Sequence, residues 1–172
     1  ICEETGNRYK IRLPQVVSDP REFLDPDQIP VFVAAVHGTK YEIPALMALC
    51  SLRRSEILAV KWSDVDLTAG TIQVHGSMVP DEKNNLIYKK ENKNRASRRI
   101  VPIMIPQLKD ALSAAAGPPD DFVVTMHPSS ILNGINKICE KPNLPQVGIH
   151  GLRHSYASLS YSLNVPEKIA QK

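Results

Sequence analysis

Two short clusters in this chain carry residue types that can handle a phosphate, and they lie about a hundred residues apart: Leu52-Arg53-Arg54-Ser55-Glu56 and His150-Gly151-Leu152-Arg153-His154. In the later cluster, i, i+3 spacing on a helix brings the His150 imidazole and the Arg153 guanidinium to one face, so a proton-transfer group and a planar anion-binding fork converge. In the earlier one the same spacing lays Glu56 over the face that carries Arg53, where a carboxylate can hold the guanidinium by a bidentate pair. Breaking a phosphodiester builds negative charge on the non-bridging oxygens as phosphorus becomes five-coordinate, and two guanidiniums can stabilise that charge without a metal. Arg53 and Arg153 are the candidates for that role, and His150 is the candidate general acid/base. Each has a plainer alternative: Arg53 as a surface arginine beside Arg54, Glu56 as an exposed i, i+3 ion pair, His150 as a packed or bystander histidine. The presence of both clusters in one chain weighs against those alternatives. His150 and His154 could also form an i, i+4 zinc pair, but the Glu of H-E-x-x-H and a nearby third ligand are missing, so no metal is expected.

The elements that must position these residues can be read from periodicity. Asp25-Pro26-Asp27-Gln28 supplies a helix start before an apolar run through Val36, and a second run from Ile43 to Leu52 leads into Arg53 and a short helix from Ser55 to Val60. Arg53 is therefore expected at a junction between buried helices. The period then changes. Thr71 to His75, Leu86 to Tyr88 and Arg99 to Ile103 alternate as half-buried strands and predict one small antiparallel sheet. Helical pattern returns at Gln107 to Ala116, Ser129 to Lys141 and Leu152 to Leu163, with the first turns of another helix at Val165 to Ala170. A mostly helical α+β domain with one small three-stranded sheet is the expected fold.

Charge distribution says more than net charge, which is only +3 over 172 residues. Lys83, Lys89, Lys90, Lys93, Arg95, Arg98 and Arg99 fall in one stretch against the single acid Glu91, the footprint of a face that meets a phosphate backbone. Cys2, Cys50 and Cys139 are far apart and odd in number, which excludes a disulfide framework or a zinc cluster. No stretch approaches the roughly 18 apolar residues of a membrane span, and no signal-like start is present, so a cytoplasmic protein without membrane contact is expected.

The two clusters resemble the boxes of the tyrosine recombinase family, the phage integrases and their relatives, whose catalytic domain carries L-R-x-S-E and a later H-x-L-R-H. The resemblance runs from about Phe23 to the last residue. It implies site-specific DNA recombination, in which strands are cut and rejoined through a 3′-phosphotyrosyl intermediate with double-stranded DNA and other protomers as partners. The phosphotyrosine linkage preserves bond energy, so no nucleotide cofactor is implied. In the family an acidic residue supports the first arginine, which favours a supporting role for Glu56, and the last histidine of the box, here His154, serves packing and helix support. A lysine on a β-hairpin protonates the leaving 5′ oxygen. Lys93 is the best match, because Lys93 to Pro102 looks like the family's K-T-K-x-S-x-R-x-x-P stretch, with a plain backbone contact as the alternative. Lys89, Lys90, Arg95, Arg98 and Arg99 are expected to contact DNA backbone.

Two departures from the family pattern carry consequences. Cys50-Ser51 stands where the family often has Thr-Gly, which a serine tolerates unless the backbone there requires a positive φ. The family's further Gly-His or Trp box and its tyrosine nucleophile are expected beyond Lys172, since Tyr156 and Tyr161 follow Arg153 too closely on the same helix and read as packing residues. Residues 21–172 are thus expected to be a catalytic domain incomplete at its C-terminus and inactive alone, and residues 1–20 a linker or the remnant of an upstream core-binding domain. A non-catalytic DNA-binding or regulatory module of the same fold is the rival expectation.

Overall fold

Helix α2 (Glu42–Leu49) has no polar face, and a helix that is apolar all round must be enveloped. Ala45, Leu46, Met47 and Ala48 are indeed fully buried, enclosed by α1 (Gln28–Val36), the short α3 (Arg54–Ile57), α4 (Pro106–Ala115) and α6 (Ile149–Ser162). Helix α5 (Pro128–Glu140) packs on α1. The computed structural model describes residues 23–90 and 99–162. Lys93, Arg95 and Arg98, the opening segment 1–20 and the helix expected at 165–170 lie outside the described residues, as does the side chain of Tyr161.

Within the described residues the expected helices are present, with ends that differ by a few residues. The shift that bears on the site is at α6, which begins at Ile149, three residues before the expected start, and so takes His150 into its first turn. Its inner face is fixed by Leu152, fully buried, and by Ser155, whose buried hydroxyl donates to Gly151 O (3.0 Å) and accepts from Leu24 N (2.8 Å).

The sheet is three-stranded and antiparallel, but its membership differs from the expectation. Strand β2 (Thr71–Val74) lies between β1 (Val65–Asp66) and β5 (Arg99–Pro102), with Ile72 opposite Val101 and Val74 opposite Arg99. The run at Leu86 to Tyr88 belongs instead to β4 (Leu86–Lys90), which pairs only with β3 (Gly76–Pro80) in a separate two-stranded ribbon. Gly76 and Pro80 hid β3, because both residues are depleted in strands and read as turn formers. The ribbon is held to the body where Tyr88 packs on Phe122, ring centroids 5.8 Å apart.

Candidate active site: an arginine clamp on one buried carboxylate

The site starts with the way α2 ends. Ser51 takes φ +75°, Ser51 N donates to Ala48 O (2.9 Å) and Leu52 N to Met47 O (3.2 Å), which together form a Schellman motif. Leu52 and Met47, both fully buried, supply its hydrophobic contact. The motif reverses the chain so that the Ser51 carbonyl points away from α2 and Arg53 opens the next helix. Glu56, at the third position of α3, accepts a hydrogen bond from the Arg53 main-chain N–H (2.7 Å), the reciprocal half of a capping box. The positive φ is the condition under which a serine in place of glycine is strained, and the structure meets it.

Glu56 gathers the arginines. Its side chain is buried, and its Oε1 accepts from Arg53 Nη1 (2.8 Å) and Arg99 Nη1 (2.7 Å), while Oε2 accepts from Arg99 Nη2 (2.8 Å). Burial alone would raise the Glu56 pKa; the Arg99 hydrogen bonds, the Arg53 N–H and the Arg99 charge outweigh it and hold the carboxyl at about 2. The second cluster joins through the main chain: Arg153 Nη1 donates to Ser51 O at 2.5 Å, across 102 residues of sequence. Burial, then the like charge of Arg53 and of Arg99, depress the Arg153 pKa against the opposing pull of Glu56. Two guanidiniums therefore share one carboxylate and a third is held beside them by the Ser51 carbonyl, so three positive charges meet one negative and the site holds an excess of two.

That excess faces a cleft of about 740 Å³ lined by Arg53, Arg54, His150 and Arg153, with Leu58, Met78 and Leu132 among its apolar neighbours. The Arg53 side chain is 61% exposed, so most of its fork is open to a ligand. His150 and His154 are both exposed on α6, with Nε2 atoms 3.0 Å apart and rings at 90°. At that distance the two rings are within hydrogen-bond reach, with the donor set by the tautomer. Among the described residues no group of three or more His, Cys, Asp or Glu is placed to hold a metal ion. No helix among them is long and apolar enough to cross a membrane.

The expected residues thus separate into three groups. Arg53, Glu56, His150, Arg153 and His154 come together. Lys89 and Lys90 are exposed on β4, whose partner strand supplies Met78 to the cleft. Arg99 was expected as a DNA backbone contact; its side chain is 17% exposed and its fork is taken up by Glu56, since it lies on the same face of β5 as the core residue Val101. Sequence reasoning also passed over Arg54, His127 and Ser129, which line the same cleft. His127 carries no pattern signal; its Nδ1 lies 2.6 Å from Ser129 Oγ at the start of α5. Arg99 falls at the arginine position of the K-T-K-x-S-x-R-x-x-P stretch, the one signal that set it apart from its basic neighbours.

Comparison with known proteins fits this arrangement. The profile described as the phage integrase family matches residues 22–172. A tyrosine recombinase XerC-like protein of Caldanaerobacter subterraneus subsp. tengcongensis is 28% identical over 176 aligned positions, which cover 86% of this chain and 45% of that protein. Among solved structures, the Tn1549 transposon integrase in complex with transposon right end DNA superposes with a TM-score of 0.70 at 17% identity, covering 90% of this chain and 58% of that one. XerA recombinase gives 0.62 at 20% identity, covering 93% and 57%. A lambda integrase tetramer bound to a Holliday junction gives 0.55 at 17%, covering 90% and 46%. The chain spans about half the length of the relatives it matches. With a family profile that extends over most of its residues and the fold of these recombinases, the chain belongs to the phage integrase family.

Proposed function

We propose that this protein is a tyrosine-type site-specific recombinase that cuts and rejoins double-stranded DNA. The observation that carries the proposal is the convergence of Arg53 and Arg153, a hundred residues apart in sequence, onto one cleft with an excess of two positive charges. Such a site favours a scissile phosphodiester, whose charge grows in the transition state. Arg53 and Arg153 hold the two non-bridging oxygens. His150 exchanges a proton with the attacking tyrosine hydroxyl, with His154 setting its tautomer. The tyrosine oxygen bonds to phosphorus as the 5′ oxygen departs, and Lys93 supplies the proton that the leaving oxygen takes. Tyr156 is not the nucleophile in this scheme: it lies on α6 with Arg153, and its hydroxyl rests 3.8 Å from Met104 Sδ.

Lys89, Lys90, Arg95 and Arg98 contact the DNA backbone and fix register without reading sequence. Other protomers on the same DNA complete the assembly, as in the lambda integrase tetramer on its junction. The work takes place in the cytoplasm, and residues 21–172 act as the catalytic domain.

The test is single-turnover cleavage of duplex DNA by the full-length protein. Arg53→Ala and Arg153→Ala should each slow cleavage by about 100-fold or more, with the thermal melt within a few degrees of wild type. Cleavage unchanged by both substitutions would remove the clamp from the mechanism.

A further inference from the structure

Glu56 is 6% exposed, and a carboxylate so buried must have its charge and its oxygens fully matched. Arg99 gives it two side-chain hydrogen bonds, the largest single pull on its pKa against burial. It presents a two-pronged fork, Nη1 to Oε1 at 2.7 Å and Nη2 to Oε2 at 2.8 Å, whereas Arg53 gives the carboxylate one side-chain N–H at 2.8 Å and its main-chain N–H at 2.7 Å. The second prong of Arg99 also reaches Ser51 O at 3.4 Å, the oxygen that receives Arg153 Nη1. One arginine on β5 thus touches the support of both cleft arginines, and its own side chain, 17% exposed, has little edge left for DNA.

We propose that Arg99 is a positioning residue: by saturating Glu56 it leaves the guanidiniums of Arg53 and Arg153 aimed into the cleft for phosphate, and it does not itself bind DNA. The inference rests on the recombinase reading above. Without Arg99, Glu56 would carry unmatched charge beside Arg53 and near Arg153. Both guanidiniums would turn toward it and away from the phosphate. Hydrogen bonds from Arg99 are also the main counterweight to burial at Glu56, so their loss should let the carboxyl titrate at a higher pH.

The experiment compares Arg99→Gln, Arg99→Lys and the double variant Arg99→Gln/Glu56→Gln in the full-length protein, measuring single-turnover cleavage from pH 5.5 to 8.5 and DNA affinity against salt. Arg99→Gln should lose about 10- to 100-fold in cleavage at pH 8 with DNA affinity within about twofold of wild type. Its deficit should shrink as pH falls and Glu56 protonates, because a neutral carboxyl no longer competes for the arginines. Arg99→Lys, which keeps the charge and loses the fork, should fall between wild type and Arg99→Gln. The double variant should cleave faster than Arg99→Gln at pH 8 and lack the pH-dependent recovery.

Unchanged cleavage in Arg99→Gln overturns the inference. So does a fall in affinity that accompanies a salt slope smaller by about one, the mark of a lost phosphate contact. Equal rates in the single and double variants, with no change in pH profile, would reduce Arg99 to ordinary support of the fold and overturn it as well. Wild-type protein that cleaves no DNA would overturn the recombinase reading itself, and this inference with it.

Discussion

Ser51 holds φ +75°, a conformation that costs a residue with a Cβ about 1 kcal/mol, at the turn whose carbonyl anchors Arg153. Ser51→Gly should relieve that strain, and after the extra chain entropy of glycine, roughly 0.5–1 kcal/mol, the net gain should be no more than about 0.5 kcal/mol, read as a slightly higher midpoint in urea unfolding with unchanged slope. Ser51→Val should destabilise instead, since a β-branched residue is least tolerant of positive φ. Glu56 gives a second handle. Its folded pKa of about 2 lies below the ordinary 4.5, so the stability it contributes is complete above about pH 4.5 and is lost as pH falls toward 2. That contribution is on the order of 2–3 kcal/mol, and Glu56→Gln should flatten the acid limb of the stability curve between those values, measured by urea unfolding at each pH. At this scale Arg53, Glu56, His150 and Arg153 were legible in the sequence because their types and spacing state a chemistry. The pairing of Arg99 with Glu56 was not legible, because a basic residue in a basic stretch looks like surface until the strand that carries it is paired.

Strand pairing is where pattern and structure part. Alternation marks β2 and β5 correctly, since one face of each meets the core at Ile72, Val74 and Val101. Strand β1 has two residues, too few to show a period, and β3 is broken up by glycine and proline. The hairpin between β3 and β4 closes on a turn in which Asp81 accepts from the main-chain N–H of Asn85 (2.7 Å) and Lys83 (2.9 Å), and Asn84 sits at φ +65°. The Asn85 hydrogen bond, ahead of the others, holds the Asp81 carboxyl below its ordinary pKa. Gly76 has a specific reason to be glycine, because a Cβ there would come within 2.6 Å of the Tyr88 ring. Gly76→Ala should therefore displace Tyr88 from Phe122 and cost about 1–3 kcal/mol, checked by thermal unfolding. Restoring space with Tyr88→Leu in the same chain should recover part of the loss, whereas additive effects of the two changes would contradict the contact.

Over the whole molecule, the fold acts as a device for bringing two distant clusters to one point. Helix α2, buried on every side, fixes the turn at Ser51; α3 hangs from that turn with Arg53 and Glu56; α6 packs on α2 and returns Arg153 to the same carbonyl. The mostly helical α+β class followed from periodicity, and the association of the clusters from their chemistry, but the carbonyl that joins them has no sequence signature. The central claim is that this convergence makes a phosphodiester clamp serving a tyrosine nucleophile. Its most direct test is to incubate full-length protein with a nicked duplex whose cleavage releases a short fragment, and to resolve the products on a denaturing gel. The expected result is a protein band shifted by covalent attachment to the 3′ phosphate, formed with chelator present, absent in Arg53→Ala and Arg153→Ala, and retained in Tyr156→Phe. Cleavage that leaves no covalent adduct, or an adduct that persists in both arginine variants, would contradict it.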